Sequence, residues 1–325
     1  MKKLALLLGA LTLVSGAAYA KEVVPVVEEV AVVEEVAVVE EAPVAAPTLT
    51  VKYVGQGLEF DNTSGSSTDI GEGVHFSNSV GLAYGDDWTF DLMARKSWAM
   101  DSDDGIHSNG SYRIDLDAWR HFDNFSLGAR WRQEKNMDRY YLRTKYQYGM
   151  FSGDLDVAYQ STNNLPVGES GVDGWYIEGT PAKVTVGPVS LGYYFKTESP
   201  IAQGSLNDGE IDHWYRHQLR VAFPLYQGEK LSLSFQYGWE FANDIEVEGN
   251  DYYTYKHDNN THLLWLNYSY AVTENLTISG YYEYDMYKWE KDGNGTYAPN
   301  GADFKGGEDD NKYYGEFFIG WTYTF

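Results

Sequence analysis

The 325-residue chain contains no cysteine, which excludes disulfides, thiolate metal sites and a lipidated Cys behind a processed leader. Past its opening segment it also lacks any apolar run near the roughly 18 residues that a membrane-spanning helix requires. Positive charge is scarce: 24 Lys and Arg stand against 48 Asp and Glu, for a net charge of −24. A surface of that sign repels phosphate backbones, so nucleic acid is excluded as a partner. Mean hydropathy is −0.45, which by itself describes a chain that dissolves in water. Against these absences stands one excess. Aromatics make up 16% of the residues, with 28 Tyr and 10 Trp. A low mean hydropathy and a heavy aromatic load coexist when only every second residue of a strand meets lipid, as in a transmembrane β-barrel.

The chain opens with Lys2 and Lys3, a short apolar core from Leu4 to Val14, and the small-x-small pattern Ala18-Tyr19-Ala20. This is the pattern of a cleaved signal peptide over residues 1–20, so the protein is expected to be exported. Residues 21–47 are low in complexity, with Val-Glu-Glu-Val-Ala-Val recurring from Val27. Six residues advance a helix by about 600°, so the Glu pairs rotate around the axis and no apolar stripe forms. The segment reads as a solvated periplasmic spacer, with a self-associating helix as the alternative.

From residue 48 to 325 the pattern has period two. Trp88, Phe90, Leu92 and Ala94 alternate with Thr89, Asp91, Met93 and Arg95, and Tyr112 to Ala118 alternate with Arg113, Asp115 and Asp117. The same holds around Leu127, Leu233 and Ile278, which are expected to face lipid. Short turns are expected at 85–87, 122–124, 149–152, 187–188, 224–229 and 273–275. Longer polar connections are expected at 61–73, 99–110, 135–139, 161–171, 197–212, 242–260 and 288–312. Short and long alternate, which sorts the connections onto two rims. The expected fold is therefore all-β: an antiparallel up-and-down transmembrane barrel of about fourteen strands (twelve to sixteen), with both termini periplasmic. Residues 172–187, around Pro181, alternate poorly.

Parity assigns the polar face to the lumen. There it places a basic track of Arg95, Arg113, Arg130, Arg132, Arg143 and Lys145, followed by Arg216 and Arg220. Lumenal acids are Asp91, Asp115, Asp117, Asp154, Asp156, Glu240, Glu283 and Asp285. Two readings stay open. A cationic wall facing an acidic one would set up a transverse field that favours hydrated solutes, or the charges pair across strands and stiffen the wall. Eight-stranded barrels fill their interior and sixteen-stranded ones leave an aqueous channel. Fourteen strands thus imply a narrowed passage, and a passive diffusion channel for small hydrophilic solutes and ions is the expected function. The third long connection is too short to fold inward, which leaves 242–260 and 288–312 as candidate constrictions.

The last strand carries the most specific local pattern, with Gly320, Tyr323 and Phe325 spaced as Gly, two residues, aromatic, one residue, terminal aromatic. This resembles the signature that the barrel-assembly machinery of the outer membrane reads, except that Phe318 occupies a position usually polar. The leader Met1 to Leu6, the mature start Lys21-Glu22-Val23-Val24 with its spacer, and the terminal Phe resemble the FomA-type major porins. That resemblance implies fourteen strands, a non-specific channel and a homotrimer in the outer membrane. Segments 112–122 and 124–132, with their arginines, are similar to the KdgM family of oligogalacturonate porins, which implies a preference for acidic oligosaccharides. Neither resemblance brings a catalytic residue.

An enzyme is not expected. Asp212-His213 and His257-Asp258 are the nearest fragments of acid–base chemistry, and a base needs a nucleophile or water within hydrogen-bond reach. No metal-ligand spacing or cofactor motif is present. The acidic runs 101–104 and 308–310 offer oxygen ligands for weak cation bridging to lipopolysaccharide. An adhesin or receptor that works through its acidic loops is the remaining alternative.

Overall fold

The computed structural model describes residues 47–63, 73–101, 105–108, 110–162, 173–201, 211–247, 253–257, 261–292 and 311–325. The leader, all of the spacer but Pro47, and the acidic side chains at 101–104 and 308–310 lie outside the described residues.

Every described element is a strand. In chain order these are β1 (Leu49–Thr63), β2 (Gly73–Tyr84), β3 (Trp88–Asp101), β4 (Gly105–His107), β5 (Tyr112–His121), β6 (Phe125–Glu134), β7 (Met137–Tyr148) and β8 (Phe151–Thr162). They continue with β9 (Gly174–Val186), β10 (Val189–Pro200), β11 (Ile211–Gln227), β12 (Leu231–Val247), β13 (Tyr253–His257), β14 (Thr261–Ala271), β15 (Leu276–Asp292) and β16 (Asn311–Thr324). Neighbours pair antiparallel, and β1 pairs with both β2 and β16, so the sheet closes on itself and has no edge.

The barrel wall has fourteen positions, because two of them are broken strands. β4 pairs with β3 Ala99–Asp101 just beyond the point where β5 leaves it, and β13 pairs with β12 Asp244–Val247 just beyond β14. Connections expected as loops at 99–110 and 242–260 are therefore partly wall. The described part of 242–260 continues the sheet instead of folding into the lumen. The third long connection shrinks from the expected 135–139 to Lys135-Asn136, because two residues suffice to close a hairpin and the alternation runs on through Arg139 and Tyr141. Two short turns are also tighter than expected: β8 starts at Phe151 and β11 runs to Gln227. Gly149 and Gly187 open two-residue turns with φ of 59° and 58°, a conformation L-residues avoid.

The weak alternation around Pro181 has a local cause. The ladder between β9 and β10 skips Thr180 and Pro181, and the ladder to β8 shifts at the same place. Proline has no N–H to give to a ladder, so the strand bulges there.

One face of the wall is apolar and exposed, including Leu92, Leu116, Leu142, Leu219, Leu266, Ile319 and Trp321. The other face is charged and largely buried. Both ends of the barrel segment lie at the rim of short turns: Leu49 pairs with Tyr84, and Thr324 with Tyr53. Large aromatics crowd that rim outside, among them Tyr84, Phe122, Tyr148, Phe151, Tyr226 and Phe325, where amphipathic rings sit at a lipid–water boundary. Arg120 lies over Trp88 and Phe122 at 5.7 and 5.1 Å in the same belt. Leu142, mid-strand and 52% exposed, tests this orientation. Leu142→Arg is expected to lower stability in a bilayer by about 2–4 kcal/mol, read from urea titrations in liposomes. A neutral effect would mean that this face does not meet lipid.

Candidate pore lining

Alternation alone brings the charged residues of non-consecutive positions to one concave surface, and all the basic and acidic positions expected there lie on that face. On β5 to β8 the charges form a checkerboard, with Asp115 opposite Arg132, Asp117 opposite Arg130, and Arg143 opposite Asp156. Asp115 accepts from Arg113 (2.6 Å) and Arg132 (2.9 Å), while Asp117 accepts from Arg130 (2.9 Å) and Arg143 (2.5 Å). Arg143 also reaches Asp156 at 2.9 Å. Asp115 and Asp117 are 3% and 7% exposed, so each is screened by guanidiniums rather than by water. Of the two readings left open by the sequence, this sector shows the cross-strand pairing. Like charges also stand directly opposite, as at Asp91–Asp117 and Arg95–Arg113. Other partners offset that repulsion: Tyr53 donates to Asp91 (2.7 Å) and Arg95 to Glu59 (3.2 Å).

A second network spans β11 and β12, where Arg216 (2.8 Å) and Gln218 (2.6 Å) donate to Glu240, which also accepts from Asn243. Arg220 lies 3.6 Å over Tyr194 and 5.0 Å over Trp265. Lys145 lies over Trp119 (4.6 Å), at the edge of a cavity of about 360 Å³ at the short-turn rim that Asp154 and Lys183 also line.

Sequence reading set Trp119 on the polar face of its strand but did not recognise the pedestals on which these cations rest. Trp119, Tyr141, Tyr176, Tyr194 and Trp214 are buried on the lumenal face, and each carries at least one cation over its ring. Arg139 and Lys196, both over Tyr176, were missed as well. Arg139 had been assigned to a loop, and Lys196 belongs to no run of basic positions. Glu178, held by Tyr176 and Tyr194, and Glu198, beside Arg139 at 3.6 Å, complete that sector. Period-two parity carried from β6 into β7 and β10 would have found Arg139, Tyr141, Tyr194, Lys196 and Glu198.

The acid surplus gathers elsewhere, on β15, β16 and β1. Glu283 and Asp285 were expected there. Glu59, Asp61 and Glu316 were not, and neither was His75, directly opposite Glu59. Tyr281 donates to Glu316. Carboxylate and imidazole atoms of Glu59, Asp61 and His75 all lie within 4.8 Å of one another. The expectation of no metal-ligand set came from scanning spacing along the chain, whereas strand pairing unites residues 14 and 16 positions apart.

Asp212 and His213 are neighbours on one strand. The His213 ring lies 5.3 Å from Tyr215, and Asp212 falls where the β11–β12 ladder shifts register. Asp258 lies outside the described residues.

No protein-family model and no curated protein matches the chain. It is similar in shape to several solved structures. OmpT, an outer membrane protein of Vibrio cholerae, is 15% identical, with 85% of this chain and 98% of that one covered at a TM-score of 0.44. An anion-selective porin from Comamonas acidovorans is 12% identical, with 86% and 100% covered at 0.43. The outer membrane channel DcaP of Acinetobacter baumannii is 10% identical, with 86% and 98% covered at 0.39. Nothing about the activity of this chain follows from likenesses so distant, and neither the FomA-type nor the KdgM resemblance is carried by them.

Proposed function

We propose that the protein is an outer-membrane channel through which small hydrophilic solutes and ions diffuse passively. The observation that carries this reading is a closed barrel of fourteen positions with an apolar, exposed outer face and a charged, hydrogen-bonded inner one. Such a surface is stable with lipid outside and water inside, and an even strand number with short turns on one rim is the outer-membrane arrangement. The exported leader at 1–20 and the terminal Gly320, Tyr323 and Phe325 support the same location, with both ends and the spacer 21–47 on the periplasmic side. The homotrimer implied by the FomA-type resemblance belongs to this reading, and light scattering of detergent-folded protein tests it.

The paired lumen favours a general channel over one built for acidic oligosaccharides. Arg113, Arg130, Arg132 and Arg143 each already hold an Asp, so a sugar carboxylate would have to displace a buried partner. Weak selectivity follows, with a small cation preference at low salt from the acidic long connections. That preference should fade as salt shortens the screening length to about 8 Å and below. Reconstitution in planar bilayers tests the reading. Stable, ohmic single-channel currents with a slightly cation-selective reversal potential are expected. A protein that inserts and folds but conducts nothing would leave an adhesin or receptor as the better description.

A further inference from the structure

The cluster on β1 and β2 is unlike the rest of the lining, because an imidazole there meets two carboxylates within 4.8 Å. We infer that Glu59, Asp61 and His75 form a binding site for a divalent transition-metal ion of the zinc class, near the long-connection end of the lumen.

Geometry is the first argument. Two ligand atoms each about 2.1 Å from a tetrahedral ion lie about 3.4 Å apart. His75 Nε2 is 3.2 Å from Asp61 Oδ2 and 4.0 Å from Glu59 Oε1, so only Glu59 needs a small rotation. The imidazole is also oriented from behind. Its Nδ1 lies 2.6 Å from the hydroxyl of Ser97, which is 2% exposed. With Nδ1–H donating to that oxygen, the Nε2 lone pair faces the two carboxylates, the outer-sphere arrangement that metal-binding histidines use.

An independent feature keeps the approach open. Gly73 stands beside two of the three ligand residues, Asp61 and His75. A Cβ there would sit 2.5 Å from Asp61 Oδ2 and 3.1 Å from His75 Nε2, in the space an ion and its water would occupy. Glu316, opposite Asp61 on β16, adds a third carboxylate to this sector, and Arg95 reaches Glu59 Oε1 at 3.2 Å. The donor set selects the metal class, since one imidazole with two carboxylates suits zinc or its neighbours, whereas calcium and magnesium prefer oxygen alone.

Titration calorimetry of the detergent-folded full chain with zinc chloride tests the site. Wild type should bind at least one zinc that is lost in both His75→Gln and Gly73→Ala, and Ser97→Ala should weaken it about 10–100-fold. His213→Gln and His262→Gln, on the outer face, should leave it intact. Gly73→Ala changes no charge and no ligand, so it decides the matter even if His75→Gln fails to fold. A wild type that binds no zinc, or a Gly73→Ala protein that binds as wild type does, would overturn the site. The binding measurement does not rest on the channel reading. In bilayers, zinc should reduce current in wild type and not in Gly73→Ala. Intact binding with no effect on current would count against an ion path past these residues and leave the site standing.

Discussion

Replacing Asp115 and Asp117 together by Asn is expected to turn a weakly selective lumen into an anion-selective one. Four guanidiniums converge on these two carboxylates. Removing both adds two net positive charges at one level of the barrel interior, where screening is weaker than at an open rim. The reversal potential in a tenfold salt gradient should move decisively toward the anion limit. Oligogalacturonate, whose carboxylates fit guanidinium forks, should block the variant at concentrations that leave wild type open. The opposite substitution, Arg113, Arg130 and Arg143 to Ser, removes both guanidiniums from Asp117 and leaves Asp115 with Arg132. It should widen the passage and drive selectivity toward cations. Breaking one side of a fully dry buried pair costs about 3–5 kcal/mol, which bounds the loss from above because lumenal water relieves part of it. If neither variant moves the reversal potential, ions do not pass this level, and the checkerboard is purely a brace.

These expectations depend on which charges pair, and sequence reached only half of that. Period two is a property of the backbone, so the assignment of Arg113, Asp115 and Asp117 to the inner face needed nothing beyond the chain. Strand number was legible for the same reason: short and long connections alternate, and β3 and β12 run past their expected ends without adding a position to the wall. Register was not legible. Whether Asp117 meets Arg130 or Arg132 depends on where the 122–124 turn sets β6 against β5, and a shift of one residue would exchange faces. A bare cationic wall was therefore as consistent with the sequence as the network that forms. The Glu59, Asp61 and His75 cluster was hidden for a related reason. Its members belong to adjacent strands joined by a long connection, so their proximity is a product of pairing and leaves no spacing to recognise. Lumenal aromatics follow the same parity: Trp119, in step with Asp115 and Asp117, and Tyr141, in step with Arg143, point inward, where a cation covers each ring.

The same parity explains the unusual Phe318 and leads to the second large effect. Phe318 faces the lumen, stacks on Tyr281 at 5.5 Å between centroids, and lies across the glycines of the closing seam. A Cβ on Gly57 would meet Phe318 Cε2 at 2.5 Å and Ser77 Oγ at 2.9 Å, and one on Gly320 would meet Phe318 Cζ at 2.9 Å. Gly57 and Gly320 stand directly opposite each other where β1 joins β16, so the ring fills a slot that both must leave empty. A polar side chain at 318 would leave that slot unfilled, which accounts for the departure from the usual terminal pattern. Gly57→Leu is expected to push the ring out and cost about 1–3 kcal/mol of overpacking. Thermal unfolding should show the fall, and adding Phe318→Ala should recover part of it, because the two residues share one volume. Phe325→Asp should behave in the opposite way. Phe325 is 68% exposed, and its packing contact is an edge-on ring, Tyr323, at 5.1 Å. Its loss should barely change the unfolding of protein folded in detergent, yet reduce the amount assembled into the outer membrane in cells. Equal losses of stability from both substitutions would mean that the terminal aromatic acts by packing and carries no assembly signal.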